Sequence, residues 1–159
     1  MTLSNYLKWY FLQAHTDSKD YWNTRWTYKL SEDTISPERR AIISKRVHDL
    51  MSEHDCESVL EVGCGAHPLL DDGTHLDFSL RALELSGLSE FICADVTKCI
   101  PVPDKTFDCT FSSCTLMHLP TDIDVSLACF EIERVTKKLI VLNENDSRPK
   151  FERVSVEKL

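Results

Sequence analysis

Ser58-Val59-Leu60-Glu61-Val62-Gly63-Cys64-Gly65-Ala66 is the stretch on which the fold turns. Val59, Leu60 and Val62 form a short apolar run broken by one acid, Glu61. The run then stops in Gly63-Cys64-Gly65. A buried parallel strand reads this way when it ends abruptly in a glycine turn. Glycine there permits positive φ and lets a ligand come close to the backbone, because no Cβ stands in the way. A turn of this kind after the first strand of an α/β sheet is a cofactor site in many folds. Gly-x-Gly alone also fits an ordinary tight turn, so the rest of the chain has to decide.

Outward from the turn, helices and strands alternate. On the N-terminal side, Ser36-Pro37-Glu38 opens a helix: Ser36 suits N-cap, Pro37 N1, and Glu38 the positive end of the dipole. Ile42, Ile43, Val47, Leu50 and Met51 give it an apolar stripe to about Glu53. On the C-terminal side, strands are predicted at residues 58–62, 74–77, 90–94, 107–112 and 139–143. Helices are predicted at 80–88 and 122–135, and 151–156 suits an edge strand. Gly63 and Asp77 are closer in sequence than the roughly 20 residues of a full crossover, so the helix after the first strand is cut to a stub at Pro68-Leu69-Leu70. Short crossovers between strands imply an α/β fold with a doubly wound, mostly parallel sheet.

Residues 1–30 hold all three tryptophans, Trp9, Trp22 and Trp26, and all four tyrosines, Tyr6, Tyr10, Tyr21 and Tyr28. Leu3, Tyr6, Leu7, Tyr10 and Phe11 recur at helical spacing, and a second short helix suits 17–26. Residues 1–35 therefore read as an aromatic N-terminal arm, packed on the core or closing as a lid over a pocket. Residues 36–159 read as the cofactor-binding part of a single domain.

The chain has 159 residues, is 42 % hydrophobic and 28 % charged, and carries a net charge of −8. That is enough for one real core. The negative charge argues against broad nucleic-acid binding. No apolar run is long enough for a membrane span, and no signal-peptide pattern opens the chain. The seven cysteines are odd in number and without Cys-x-x-Cys, which predicts reduced thiols in a cytoplasmic protein. Cys64 with His67, and Cys114 with His118, offer two ligands each and no second pair, so no metal site is expected.

The chemistry gathers at the predicted strand ends, where ligands of open α/β sheets sit. Asp77 ends the second strand, Asp95 follows the third, and Ser112-Ser113-Cys114 ends the fourth. An acid in the first position accepts ribose hydroxyls; one in the second accepts from an adenine amino group. Two carboxylates beside the turn repel a pyrophosphate and suit a nucleoside without phosphates.

Five segments in this order resemble the S-adenosylmethionine-dependent methyltransferases of Rossmann-like fold. Val59-Leu60-Glu61-Val62-Gly63-Cys64-Gly65 resembles their first motif, and Leu76-Asp77-Phe78-Ser79 the segment after their second strand. Cys93-Ala94-Asp95-Val96, then residues 100–108, is similar to the motif at strands 3 and 4. Residues 112–119 resemble a loop that reads Leu-His-His-Leu in many small-molecule members. Residues 20–26 resemble an aromatic entry motif. The resemblance implies a sheet of order 3-2-1-4-5, here a truncated version of that fold with an N-terminal helical arm. It also implies S-adenosyl-L-methionine as cofactor and S-adenosyl-L-homocysteine as product. By position, Gly63, Cys64 and Gly65 would pass the methionine moiety, and Glu61 would hold the turn and reach the amino end. Asp77 would take the ribose hydroxyls, with Phe78 against adenine. Asp95 and Val96 would read adenine, and Ser112 would face the sulfonium. The chain departs from the pattern in Ala66-His67-Pro68, which replaces the third glycine, and in ending soon after the fifth strand.

Methyl transfer needs a general base only when the acceptor keeps its proton until transfer. Tyr21, Arg25, His118 and Glu144 are placed near the pocket mouth, with His118 and Tyr21 as catalytic candidates. The expected acceptor is a small molecule or a protein side chain. The rival expectation is a catalytically inactive module that binds the cofactor or a protein partner. The short C-terminus leaves an open sheet edge, which suits a homodimer.

Overall fold

Five strand pairings, all parallel, build one six-stranded sheet of order β3-β2-β1-β4-β5-β6. The structure is a computed structural model that describes residues 19–27, 35–145 and 147–159. Its strands are β1 (Val59–Val62), β2 (Thr74–Asp77), β3 (Ile92–Cys93), β4 (Phe107–Ser113), β5 (Thr136–Asn143) and β6 (Ser155–Lys158). Its α-helices are α1 (Lys19–Thr27), α2 (Pro37–Glu53), α3 (Leu80–Ser86) and α4 (Asp122–Val135), with a 3-10 turn at Leu116–His118. The predicted order 3-2-1-4-5 is present, extended by β6. The helical spacing read over residues 3–11 lies outside the described residues, as do Trp9 and Tyr28.

Side-chain alternation along β1 sets the two layers. Leu60 and Val62 point to one face, where Ala128, Ile132 and Val135 of α4 close over Leu76, Ile140 and Leu142. Val59 points to the other, where Ile43, Val47, Leu50 and Met51 of α2 pack on Cys109, Phe111, Leu139 and Val141. Each fully buried Leu, Ile or Phe contributes about 1.5–3 kcal/mol by leaving water. α2 starts as the sequence predicts: the Ser36 hydroxyl accepts from the Arg39 amide at 3.3 Å, and Pro37 follows.

Four of the differences in boundary from the sequence reading matter here. β3 shrinks to two residues, because only Leu76 and Asp77 of β2 face it. β5 begins at Thr136, so α4 runs straight into a strand whose first lysines, Lys137 and Lys138, reach outward. The edge strand falls at Ser155–Lys158 instead of 151–156, leaving Phe151 and Val154 to pack against the core from a loop. α3 stops at Ser86, with Gly87 left-handed at φ +75° as its C-cap.

No helix separates β1 from β2: the stub expected at Pro68-Leu69-Leu70 is replaced by turns and bends. Cys56, Cys64, Cys93, Cys99, Cys109 and Cys114 are free thiols. Among the described residues, no helix is long and apolar enough to cross a membrane. None of their His, Cys, Asp and Glu side chains gather in threes as a metal would need.

Candidate functional site

The carboxyl ends of β1, β2 and β4 meet at the glycine turn. Gly63 and Gly65 both take positive φ, +73° and +58°, a region L side chains enter only at a cost. The turn spends its own amides internally. Those of Gly63 and Cys64 donate to the Leu76 carbonyl at 2.7 and 3.1 Å, and that of Gly65 donates to Asp77 Oδ2 at 3.0 Å. Asp77 Oδ1 accepts from the Ser79 amide at 2.8 Å. Asp77 is buried, which raises its pKa, against the pull of the amides it accepts from. Each carboxylate oxygen keeps a lone pair beyond the one used here.

Glu61 lies on the other side of β1 and is also buried. Its Oε1 accepts from the Leu69 amide at 2.9 Å and its Oε2 from the Leu70 amide at 3.1 Å. Burial pushes its carboxyl pKa up, and the amides pull it down less strongly. Glu61 thus holds the connection after the turn. Burial, and next the charge of Asp77, push the Cys64 thiol far up, so Cys64 stays a neutral thiol with its donor on the Gly65 carbonyl.

The two glycines are roofed by side chains from elsewhere in the chain. A Cβ on Gly63 would lie 2.1 Å from Thr115 Oγ1, and one on Gly65 3.0 Å from Cζ2 of Trp26. The Thr115 hydroxyl has the Val62 and Gly63 carbonyls at 3.3 Å and the Ser113 carbonyl at 3.1 Å within reach of its one hydrogen. Its amide is held by Glu144, whose carboxylate also accepts from the Ser112 hydroxyl at 2.8 Å and the Met117 amide at 3.2 Å. Ser112 is thus buried with its hydroxyl committed to Glu144. Glu144 was expected near the pocket mouth, but its clamp on Ser112, Thr115 and Met117 does not follow from local sequence.

The arm meets the domain at this roof. Trp22 packs edge-on against His118, ring centroids 4.9 Å apart, and Trp26 lies 6.2 Å from the His67 ring. Tyr21 is buried, 5.1 Å from Trp22, and its hydroxyl accepts from Arg25 Nη1 at 3.1 Å. The catalytic candidates Tyr21 and His118 therefore flank one ring, Trp22. Asp95 Oδ1 accepts from the Thr97 amide and hydroxyl at 3.1 and 2.7 Å, closing its loop. Val96 is buried in the α4-side core, and Phe78 sits half-buried after β2.

The donor set discriminates between ligands. A pyrophosphate at a glycine turn needs free amides, and the three described above are spent. What remains is carboxylate and aromatic surface. That suits ribose hydroxyls and a cationic sulfur, so the residues fit S-adenosylmethionine better than a dinucleotide.

A family model described as a methyltransferase domain matches residues 60–139. No curated protein matches the chain. Solved structures do. An S-adenosylmethionine-dependent methyltransferase from Methanosarcina mazei is 21 % identical, with a TM-score of 0.50, over 58 % of this chain and 52 % of that one. A Pyrococcus horikoshii protein is 24 % identical, with a TM-score of 0.50, over 64 % and 51 %. An S-adenosylmethionine-dependent methyltransferase from Clostridium acetobutylicum is 15 % identical, with a TM-score of 0.50, over 60 % and 45 %. At these identities the likeness is one of fold. The chain spans about half the length of these structures.

Proposed function

Because the chain belongs to the S-adenosylmethionine-dependent methyltransferases of Rossmann-like fold, we propose that it transfers a methyl group to a small-molecule or protein side-chain acceptor. The observation that carries this reading is the glycine turn with its amides spent and the Asp77 carboxylate against it. When bound, the cofactor would supply an electrophilic methyl on a sulfonium to an acceptor lone pair, with the neutral thioether as leaving group.

The residues have to bind, orient and exclude water. In this reading the remaining lone pairs of Asp77 take the ribose hydroxyls, and Phe78, Asp95 and Val96 surround adenine. Gly63, Cys64 and Gly65 carry the methionine arm. Ser112 and Glu144 hold the Thr115 loop against it. α1 acts as the lid: Trp26 covers Gly65 and must move aside for entry. His118 takes a proton where the acceptor carries one, its place set by Trp22; Tyr21, buried in the arm contact, shapes that wall. A homodimer along β6, the last strand of the described sheet, goes with the reading, and sedimentation at rising concentration tests it.

Calorimetry with S-adenosylhomocysteine and with a nicotinamide dinucleotide tests the reading directly. The first binds and quenches or shifts tryptophan fluorescence as the lid rearranges; the second does not bind. No heat with S-adenosylhomocysteine overturns the proposal. Binding without methyl transfer across a broad acceptor panel leaves a cofactor-binding module without catalysis.

A further inference from the structure

His118 is carried on a single 3-10 turn, Leu116–His118. A turn so short makes few bonds of its own. The His118 amide donates to the Thr115 carbonyl and the Leu119 amide to the Leu116 carbonyl, each at 3.1 Å. The buried Leu116 side chain pins the start of the turn to the core. Two side chains that follow β5 supply further bonds. Glu144 accepts from the Thr115 and Met117 amides. Arg148 serves the carbonyls: its Nη1 donates to that of Leu119 at 3.1 Å and its Nη2 to that of Met117 at 3.2 Å.

Those two carbonyls flank His118. A side chain that bridges them fixes the backbone on both sides of that residue, and with it the direction of the imidazole. Guanidinium suits the task, because its N–H donors form a rigid planar fork, whereas a lysine ammonium is a point charge on a flexible stem. Asp122 Oδ1 lies 3.8 Å from Arg148 Nη1 and adds a carboxylate beside the fork. The imidazole itself meets Trp22 of α1, ring centroids 4.9 Å apart. A displacement of about 1 Å at a reacting group can cost about 100-fold in rate, so what fixes this turn matters to a base carried on it.

We propose that Arg148 is a positioning residue: its guanidinium holds the turn so that the His118 imidazole is presented to the acceptor and receives Trp22 when α1 closes. It acts through His118. The assignment rests on the reading of His118 as the base and α1 as the lid, and deepens it by naming what sets the base in place.

The ring protons of His118 report its place, because the Trp22 ring shifts their NMR resonances at this distance. His118→Gln identifies those resonances, and Trp22→Leu shows where they fall without the indole. In the full chain, Arg148→Gln moves them most of the way to the Trp22→Leu position. Arg148→Lys keeps the charge, loses the fork and restores only part of the shift. Lys105→Met is the control for a merely structural role. Lys105 Nζ also bonds two carbonyls, those of Glu133 and Thr136 where α4 meets β5, so its loss lowers the urea midpoint and leaves the His118 resonances in place. Resonances unmoved in Arg148→Gln, fully restored by Arg148→Lys, or moved as far by Lys105→Met overturn the assignment. If Arg148→Gln does not fold, wild-type protein decides by NMR of the Arg148 guanidinium: slowed rotation while Trp22 and His118 stay in contact supports the assignment, and free rotation overturns it. Tryptophan fluorescence on adding S-adenosylhomocysteine keeps the two readings apart. No response in wild type overturns the lid, whatever the His118 resonances show; a wild-type response that Arg148→Gln leaves intact overturns the part of Arg148 in closure.

Discussion

The connection from β1 to β2 and the connection from β4 to β5 each join adjacent parallel strands, and they are built in opposite ways. The second carries α4, a full helix of 14 residues that bonds its own backbone. The first has no helix, so side chains do that work. Glu61 takes the amides of Leu69 and Leu70, Asp77 takes those of Gly65 and Ser79, Arg40 donates to the carbonyls of His67 and Pro68, and His75 Nε2 lies 3.1 Å from the Leu70 carbonyl. A parallel crossover usually brings a helix because the backbone must be satisfied somewhere. Shortening it loads that task onto buried carboxylates beside the candidate cofactor. Structural and ligand-binding duties therefore fall on the same residues here, and are separable on the α4 side.

Removing Glu61 breaks the comparison hardest. Glu61→Ala strands two buried amides at about 1–3 kcal/mol each, a loss of about 4 kcal/mol out of the 5–15 typical of a domain. Urea unfolding reads it as a lower midpoint. Glu61→Gln keeps one acceptor oxygen and loses roughly half as much. A loss under about 1 kcal/mol for the alanine variant would mean water satisfies those amides, and the connection would not depend on the carboxylate.

Gly63→Ala comes next, at about 3 kcal/mol. Positive φ costs about 1–2 kcal/mol, and the added Cβ would overlap Thr115 Oγ1 and Cγ2 at 2.1 and 2.3 Å. Thr115→Ala in the same chain removes the two nearest overlapping atoms but keeps the Thr115 Cβ at 2.7 Å, so it should recover part of the overlap and leave the backbone cost. No recovery in that double-mutant cycle would show that Thr115 can swing away. By the same logic, Asp77→Asn is the informative probe of ribose binding. It keeps one of the two acceptor oxygens that the Gly65 and Ser79 amides use, so it should weaken S-adenosylhomocysteine about tenfold at about half the stability cost of Asp77→Ala, which orphans both amides.

These contacts mark what was legible in the sequence. The apolar run and two glycines announced β1 and its turn, and the Gly63–Asp77 spacing announced a shortened connection, though a helical stub was expected where none forms. Asp77 was legible as a strand-ending acid beside the turn; its bond to the Gly65 amide was not. The resemblance implied that Glu61 holds the turn and reaches the amino end of the cofactor; that its partners are the Leu69 and Leu70 amides was not legible, because it requires the chain to fold back. Trp26 on Gly65 and Thr115 on Gly63 are long-range contacts with no local signature. β5 began earlier than expected because Thr136-Lys137-Lys138 looks like a polar turn, yet Lys137 spans to Asp108 at 3.1 Å.

That last pair gives a pH test on the helical side of the comparison. The Glu57 amide, then Lys137, hold the Asp108 carboxyl at about 2, below its ordinary 3.8. A depressed carboxyl adds stability that is fully present above its unfolded pKa and lost as pH falls through the folded one. The stabilising effect of Asp108 should therefore fade between about pH 4 and pH 2. Glu61 and Asp77, raised by burial, run the other way: their contribution is greatest at low pH and falls as pH rises through their raised values. Acid unfolding of Asp108→Asn should be flatter than wild type below pH 4. Identical slopes would show that Lys137 does not hold the carboxylate in solution.

The smallest effect belongs to the helix that needs least help. Thr121 caps α4, its hydroxyl accepting from the Asp124 amide at 3.1 Å and donating to the Asp124 carboxylate at 2.6 Å. Thr121→Ala removes one exposed cap and should cost about 1 kcal/mol. Beyond its first turn α4 bonds its own backbone, so affinity for S-adenosylhomocysteine should stay within about twofold of wild type. If this variant instead weakens the ligand as Asp77→Asn does, then the two crossovers are coupled through the loop at Thr115. Binding duties would then no longer be confined to the helix-free side.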